Sequence, residues 1–317
     1  MKIVYLGSGE FGIECLNALA GSANIIEFIV TQPAQPAGRG RESRPTSVAT
    51  WADSHSIPFT ETENVNVAQI IEKIAGYKPD IIVVIAFGQK IGKELAALPR
   101  HGAINVHASL LPKYRGAAPI NWAIVNGERE TGVSIITLAE KIDSGEIISH
   151  AKTAIGVDET ACQLHDRLAR MAAPLLAETI EKIANGTAVY TEQNEFEATR
   201  APKLKKSDGF LDFNEPAESL RRKILGFWPW PEASAIYVSK KTTKCQRAVI
   251  AGAEVVETSK PNSLAAGLLD ENLNVICGED TLKISKIKPA GGRLMDFRDF
   301  VNGFRCCPGD LFMKIDE

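Results

Sequence analysis

Met1-Lys2-Ile3-Val4-Tyr5-Leu6-Gly7-Ser8-Gly9-Glu10-Phe11-Gly12 decides the fold. Lys2 to Leu6 is a short apolar run rich in β formers, and Gly7-Ser8-Gly9 turns the chain. Apolar residues then return at helical spacing, as Phe11, Cys15, Leu16 and Leu19. A second apolar run, Ile25 to Val30, stops at Gln32-Pro33. Short strands that are apolar throughout, joined by a helix, predict a parallel sheet buried on both faces.

The same rhythm runs outward from this unit. Helices are expected at Ser47–Ser54 and Val67–Ile74, and Asp80 to Ala86 is a strand that stops before Gly88. Ala103 to His107 reads as a strand, Ile120 to Asn126 as a helix, and Val133 to Leu138 and Glu146 to Ala151 as strands. A long helix follows from about Thr160 to Ala184, with Asn185-Gly186 as its stop signal. Glu192 to Lys206 is polar and charged and reads as a linker. Beyond it one helix is expected, Pro216–Leu225. Short β-like runs follow at Ser234–Val238, Cys245–Ala251, Asn274–Cys277 and Thr281–Ile287, a spacing that suggests a small barrel. The expected division is an α/β domain over 1–189, a linker over 190–206 and a mostly β domain over 207–317.

Composition narrows the function classes. A chain of 317 residues favours two domains. Its net charge of -3 gives no hint of a polyanionic partner, although phosphate contacts need only a few well-placed cations. The six cysteines are scattered apart from Cys306-Cys307, which argues against both a zinc site and a disulfide framework. The first strand is too short and too soon interrupted for a signal peptide, and no stretch approaches the roughly 20 apolar residues of a membrane span. A cytoplasmic protein without membrane contact is expected.

Gly7-Ser8-Gly9-Glu10-Phe11-Gly12 also matches G-x-G-x-x-G after a strand and before a helix, the dinucleotide fingerprint, with Glu27 about where a ribose-binding acid would stand. A nicotinamide-dependent dehydrogenase is therefore one reading. The alternative is a tight first turn with no ligand, and the apolar neighbours of Glu27 weaken its ribose role.

The densest chemistry lies at Asn105-Val106-His107-Ala108-Ser109-Leu110-Leu111-Pro112-Lys113-Tyr114-Arg115-Gly116. Asn105 and His107, two apart at the end of a strand, share a face where α/β folds place ligands. An amide can donate to a developing oxyanion and an imidazole can move a proton near neutral pH. Asp143-Ser144-Gly145 is a turn signal between two apolar runs, and its carboxylate is a candidate to orient His107.

Asn105-x-His107-x-Ser109-Leu110-Leu111-Pro112 followed by Asp143-x-Gly145 resembles the signature of the folate-dependent formyltransferases. The resemblance implies a Rossmann-like, mostly parallel sheet that binds no dinucleotide, with Asn105, His107 and Asp143 as the catalytic set. It implies 10-formyltetrahydrofolate as co-substrate, no metal, and a folate site over Phe87, Gly88, Ser109, Leu110, Leu111 and Pro112. The sequence departs from the family at Gly7-Ser8-Gly9, where Gly-Thr-Pro is usual, and at Phe87, where Tyr is frequent.

The family holds several acceptors, so specificity must come from other segments. Thr31 to Arg41, with Arg39, Arg41 and Arg44 among glycines and prolines, resembles the acceptor-stem loop of the members that act on methionyl-tRNA. Phe227-Trp228-Pro229-Trp230-Pro231 resembles a segment of their C-terminal domain, where the aromatics are expected to pack the barrel. That domain would be OB-like. Lys203, Lys205 and Lys206, then Arg221, Arg222 and Lys223, then Lys240, Lys241 and Lys244 are candidates for a phosphate track. The resemblance thus implies initiator methionyl-tRNA as partner, with Arg39, Arg41 and Lys206 on tRNA, and a monomer. A formyltransferase acting on a small-molecule amine is the nearer alternative. From about Met295 onward the resemblance is weakest, and no role is assigned there.

Overall fold

The computed structural model describes residues 1–37, 42–242, 245–258 and 265–316. They fall into two compact units. The first holds Met1–Pro119, Glu130–Ala154 and His165–Pro202, and the second Ile120–Arg129, Ile155–Leu164 and Lys203–Glu317.

In chain order the elements are β1 (Lys2–Gly7), α1 (Ile13–Ala20), β2 (Ile25–Thr31), the hairpin β3 (Gln35–Ala37) and β4 (Glu42–Arg44), α2 (Ser47–Ser54), β5 (Phe59–Glu61) and α3 (Ala68–Gly76). There follow β6 (Ile81–Ile85), α4 (Lys93–Ala97), β7 (Ala103–His107), β8 (Arg115–Gly116), α5 (Pro119–Val125), β9 (Glu130–Thr137), β10 (Ile147–Ala154), α6 (Ala161–Ala184) and β11 (Arg200–Ala201). Seven strands form the main sheet in the order β10-β9-β7-β6-β1-β2-β5. The five from β5 to β7 run parallel, while β9 and β10 are antiparallel. All five residues of β6 are buried, as are Ile3 to Gly7 of β1. Strands covered on both faces can be apolar at every position, which is why their runs do not alternate. The chain reverses direction across the sheet between β1 and β6, so the carboxyl ends of these strands and of β7 open on one edge.

Tyr5 explains the glycines of the first turn. Its ring is fully buried. A Cβ on Gly12 would lie 1.9 Å from the Tyr5 hydroxyl, and one on Gly7 would lie 2.5 Å from Tyr5 Cε1 and 2.7 Å from the Ile85 carbonyl oxygen. The second glycine of the fingerprint, Gly9, faces Ala86 at 3.2 Å. Gly7 and Gly12 thus make room for a side chain of the protein itself. Glu27 pairs with Lys2 at 2.9 Å. The dinucleotide fingerprint is here a packing pattern.

The second unit contains α7 (Ala217–Gly226), β12 (Ser234–Val238), β13 (Cys245–Val256), β14 (Val275–Ile276), β15 (Thr281–Pro289), β16 (Met295–Asp296), α8 (Phe297–Phe304) and β17 (Leu311–Met313). The strand path is β14-β15-β13-β12-β17, with β16 on β15. Leu268 bridges Leu311 of β17 and Leu269 bridges Val275 of β14, so two adjacent residues bring the ends of the path together into a nearly closed barrel. Its core is Leu211, Leu220, Ile224, Tyr237, Ile250, Leu282, Ile287, Phe300 and Phe312 with their neighbours.

Two expectations need correction here, and one stretch left open gains structure. A second helix is present: Phe297, Phe300, Val301 and Phe304 recur at i, i+3, i+4 and i+7, and Phe297 and Phe300 are buried. The last residues carry structure, since β17 pairs with β12 and buries Phe312. Of the Phe227–Pro231 aromatics only Phe227 is buried, edge-on to Trp122 at 5.8 Å, whereas Trp230 is 56% exposed.

Asp310, fully buried beside β17, fixes this end of the barrel. Its carboxylate accepts from the Tyr237 hydroxyl at 2.6 Å and from the backbone N–H groups of Lys240 at 2.8 Å and Cys307 at 2.9 Å. Burial pushes the carboxyl up, but these hydrogen bonds outweigh it and hold it below the ordinary range. Asp310→Asn should cost about 2 kcal/mol near neutrality. A folded value below the unfolded one stabilises above the unfolded value and is lost as pH falls through the folded one. Thermal melts should therefore show the gap between the two proteins narrowing from pH 7 to pH 3.

Among the described residues no helix is long and apolar enough to cross a membrane, and no group of three or more His, Cys, Asp or Glu is placed to hold a metal ion.

Candidate active site

Asn105, His107 and Asp143 come together at the carboxyl end of β7. Asn105 pairs with Ile136 of β9 and His107 with Ser134, so the two side chains share one face of the sheet. Asn105 Nδ2 donates to Asp143 Oδ1 at 3.3 Å, and His107 Nδ1 stands 3.6 Å from Asp143 Oδ2. The other ring nitrogen, Nε2, lies 2.9 Å from the Tyr114 carbonyl oxygen. The imidazole is buried between two oxygens, with the Tyr114 carbonyl within hydrogen-bond distance of Nε2 and the Asp143 carboxylate farther off at Nδ1.

Asp143 sits on a turn with φ 54°, a left-handed conformation that is unfavourable for a residue with a Cβ. Two features hold it there. A Cβ at Gly145 would lie 1.8 Å from the Thr137 carbonyl oxygen, so only glycine lets the turn close on β9. Thr137 Oγ1 accepts from the Glu146 N–H at 2.9 Å. The Asp143 carboxylate also accepts from the Gly116 N–H at 2.9 Å. Gly116 has φ 125°, and a Cβ there would lie 2.5 Å from the Ala201 carbonyl oxygen.

The segment after β7 is folded tightly. Ser109 is buried, its hydroxyl donating to the Lys113 carbonyl at 2.6 Å, and its own carbonyl accepts from the Ser134 hydroxyl at 2.7 Å. The Leu111–Pro112 peptide is cis. Leu111 is buried and Leu110 partly so. At the end of β6, Ala86 and Gly88 both have positive φ. The Phe87 ring lies in the core cluster with Leu6, Phe28 and Leu95, and the Phe87 carbonyl accepts from Gln32 Nε2 at 2.7 Å. Phe87, Gly88, Ser109, Leu110, Leu111 and Pro112 thus border the carboxyl ends of β6 and β7.

Residues that the sequence reading passed over frame the same place. Arg115 donates from Nε and Nη2 to Gln193 Oε1, at 3.0 and 2.8 Å, and from Nη2 to Glu195 at 2.7 Å. The Arg115 hydrogen bond holds the Glu195 carboxyl below its ordinary range. Gln193 Nε2 donates to the carbonyls of Asp143 and Gly145, at 2.8 and 2.7 Å. The Tyr114 N–H donates to Thr199 Oγ1 at 2.8 Å. The stretch that composition marks as a linker is, as far as Pro202, part of the first unit.

The formyl transferase family matches residues 1–180, and its C-terminal domain matches residues 203–305. The chain belongs to the formyl transferase family. This formyltransferase is 38% identical to the methionyl-tRNA formyltransferase of Citrifermentans bemidjiense, over 100% of its own length and 98% of the relative's. It is 37% identical to that of Geotalea uraniireducens, over 100% and 99%. In three dimensions it is similar to WlaRD, a sugar 3N-formyl transferase whose crystals held dTDP and 5-N-formyl-THF. The TM-score is 0.63 at 17% identity, over 90% of this formyltransferase and 96% of that chain. It is also similar to an N-formyltransferase from Helicobacter canadensis, with a TM-score of 0.61 at 17% identity, over 90% and 98% of the two chains. These structures share its fold.

The expected nucleic-acid contacts are distributed unevenly. Arg39 and Arg41 lie outside the described residues. Lys206 is exposed on a short 3-10 turn, Lys206–Gly209. Arg221, Arg222 and Lys223 are committed within the second unit: Arg221 to Asp158 and Glu218, Arg222 to Glu218 at 2.9 Å, and Lys223 to Glu215 at 2.6 Å. Arg221 is buried, whereas Arg222 and Lys223 keep part of their side chains at the surface beside these carboxylates.

Proposed function

We propose that this chain transfers the formyl group of 10-formyltetrahydrofolate to the methionine amino group of initiator methionyl-tRNA, for use in translation initiation. The observation that carries the reading is the convergence of Asn105, His107 and Asp143 at one strand end. Relatives named methionyl-tRNA formyltransferase, matching over its whole length, supply the acceptor.

The chemistry asked of the site is acyl transfer. The amine attacks the formyl carbon, negative charge gathers on the formyl oxygen, and the amine loses a proton; the bond from the formyl carbon to N10 of the folate then breaks as N10 takes up a proton and tetrahydrofolate leaves. Asn105 has a second Nδ2 hydrogen with which to donate to that oxygen, and His107 supplies positive charge beside it. Asp143, beside both groups, orients the imidazole and accepts the proton in transit. The 3.6 Å between His107 and Asp143 exceeds a formed hydrogen bond of about 3.2 Å, and such pairs tighten when substrate arrives. The folate donor is assigned to the strand ends bordered by Gly88 and Leu110 to Pro112. Arg39, Arg41 and Lys206 are assigned to tRNA, and residues 207–317 to a tRNA-binding role. A monomer is proposed, and a tRNA substrate supports a cytoplasmic location.

The test is transfer of labelled formyl from 10-formyltetrahydrofolate to methionyl initiator tRNA, with methionyl elongator tRNA as control. Labelling of the initiator alone is expected. Labelling of neither, by protein that binds folate, would move the acceptor to a small-molecule amine. Arg39→Ala should raise KM for tRNA by about tenfold, the loss of one charged contact, and leave KM for folate unchanged. An unchanged KM for tRNA would remove that arginine from the interface.

A further inference from the structure

We infer that Thr191 to Ala201 is a strap that holds the catalytic turn in its working shape, with Gln193 as the positioning residue for Asp143. The inference deepens the formyl-transfer reading and rests on it. Asp143 occupies a left-handed conformation that persists only where its surroundings over-determine it. One amide does most of this from the strap side: Gln193 Nε2 bridges the carbonyls of Asp143 and Gly145.

The orientation of that amide is fixed by chemistry. Arg115 can only donate, and it places two N–H groups on Gln193 Oε1, so the NH2 end must face the turn. Arg115 is also joined through the backbone to Gly116, whose N–H reaches the Asp143 carboxylate. The turn is thus gripped by its carbonyls and by its side chain from one connected set of residues.

The other end of the strap acts on the opposite side of His107. Thr199 accepts the Tyr114 N–H through its hydroxyl and the Arg115 N–H through its carbonyl, and β11 pairs with β8. The carbonyl of Tyr114 is the group that faces His107 Nε2. The two acceptors that bracket the imidazole, Asp143 and Tyr114, are both secured by residues of the strap.

Gln193→Leu tests this. Displacing a catalytic group by about 1 Å costs about 10²-fold, so kcat should fall by that order with both KM values unchanged. Arg115→Lys, which loses the two-pronged grip, should move in the same direction. In an Asp143→Ala background, followed by single turnover, Gln193→Leu should cost less than about threefold, because residues acting through one another are not additive. A merely structural role would give the full loss in both backgrounds, and that result, or an unchanged kcat in the single variant, would overturn the inference. Amide hydrogen exchange over residues 143 to 146 decides the strap independently of turnover: faster exchange in Gln193→Leu supports it, and unchanged exchange refutes it. Absence of transfer by the unaltered chain would count against the proposed reaction alone.

Discussion

His107→Ala should lower kcat for formyl transfer by about 10³-fold, the range for losing a proton-transfer group together with a charge beside the oxyanion. The fold should survive, because His107 sits at the last position of β7 and the strand is anchored on both sides upstream, by β6 and β9. The KM values should change little, since the imidazole is buried and acts on charge that develops only during reaction. Asn105→Ala should cost about 10²-fold, as one donor is lost. Asp143→Ala should fall between the two, because it removes the partner of both Asn105 and His107. Steady-state kinetics beside circular dichroism checks all three. Near-normal turnover in His107→Ala would end the mechanism given above.

Gly12→Ala should strongly destabilise the first unit, costing about 3 kcal/mol, the upper range for overpacking a core. Its new methyl carbon would meet the Tyr5 hydroxyl at 1.9 Å, and the rigid ring, fully buried against β6, has no room to retreat. Tyr5→Phe should be neutral or stabilising by about 1 kcal/mol. The Tyr5 hydroxyl is, among the described residues, the buried side-chain oxygen without a hydrogen-bond partner, and leaving a polar group so placed is costly. The double variant should recover most of the loss. The methyl would then face only the ring carbon Cζ, 3.2 Å away, a contact relieved by a shift of a few tenths of an ångström. Urea unfolding of the four proteins gives the coupling energy directly, and additive losses would show that the hydroxyl is not what the glycine accommodates.

The parts of this molecule legible in its sequence are those governed by local rules. Mostly apolar runs marked β1, β2, β6 and β7, broken at Glu27 of β2 and at Asn105 and His107 of β7, and their burial on both faces is the reason. The Asp143-Ser144-Gly145 turn could be read because a left-handed residue and a close approach to Thr137 leave few sequences available. Long-range relations were not legible. Gln193 stands in a polar stretch where any glutamine looks like its neighbours, and its role depends on Arg115, 78 positions away. The glycines of the first turn misled for a related reason: the pattern is shared by a phosphate-binding loop and by a turn laid over a buried tyrosine, and only the side chain beneath distinguishes them. Helix α8 carried a periodic signal, but two of its four apolar positions are only partly covered, and no glycine or proline punctuates its start.

The second unit is not continuous in the chain, and this limits how it can be dissected. Arg221 of α7 is almost fully buried, and its guanidinium is answered by the Val157 carbonyl and by Asp158, both upstream of residue 165. A Cβ on Gly127 would collide with Arg222, and Trp122 lies against Phe227. A fragment expressed from Lys203 onward would contain every barrel strand but would expose this apolar surface and strip Arg221 of the Val157 and Asp158 contacts, leaving it Glu218 alone. The obvious cut for isolating a nucleic-acid module would therefore yield an aggregating or half-melted product, and its failure to bind would say nothing about the intact protein. Carrying Ile120–Arg129 and Ile155–Leu164 along as grafted segments would be the sounder route to a soluble piece.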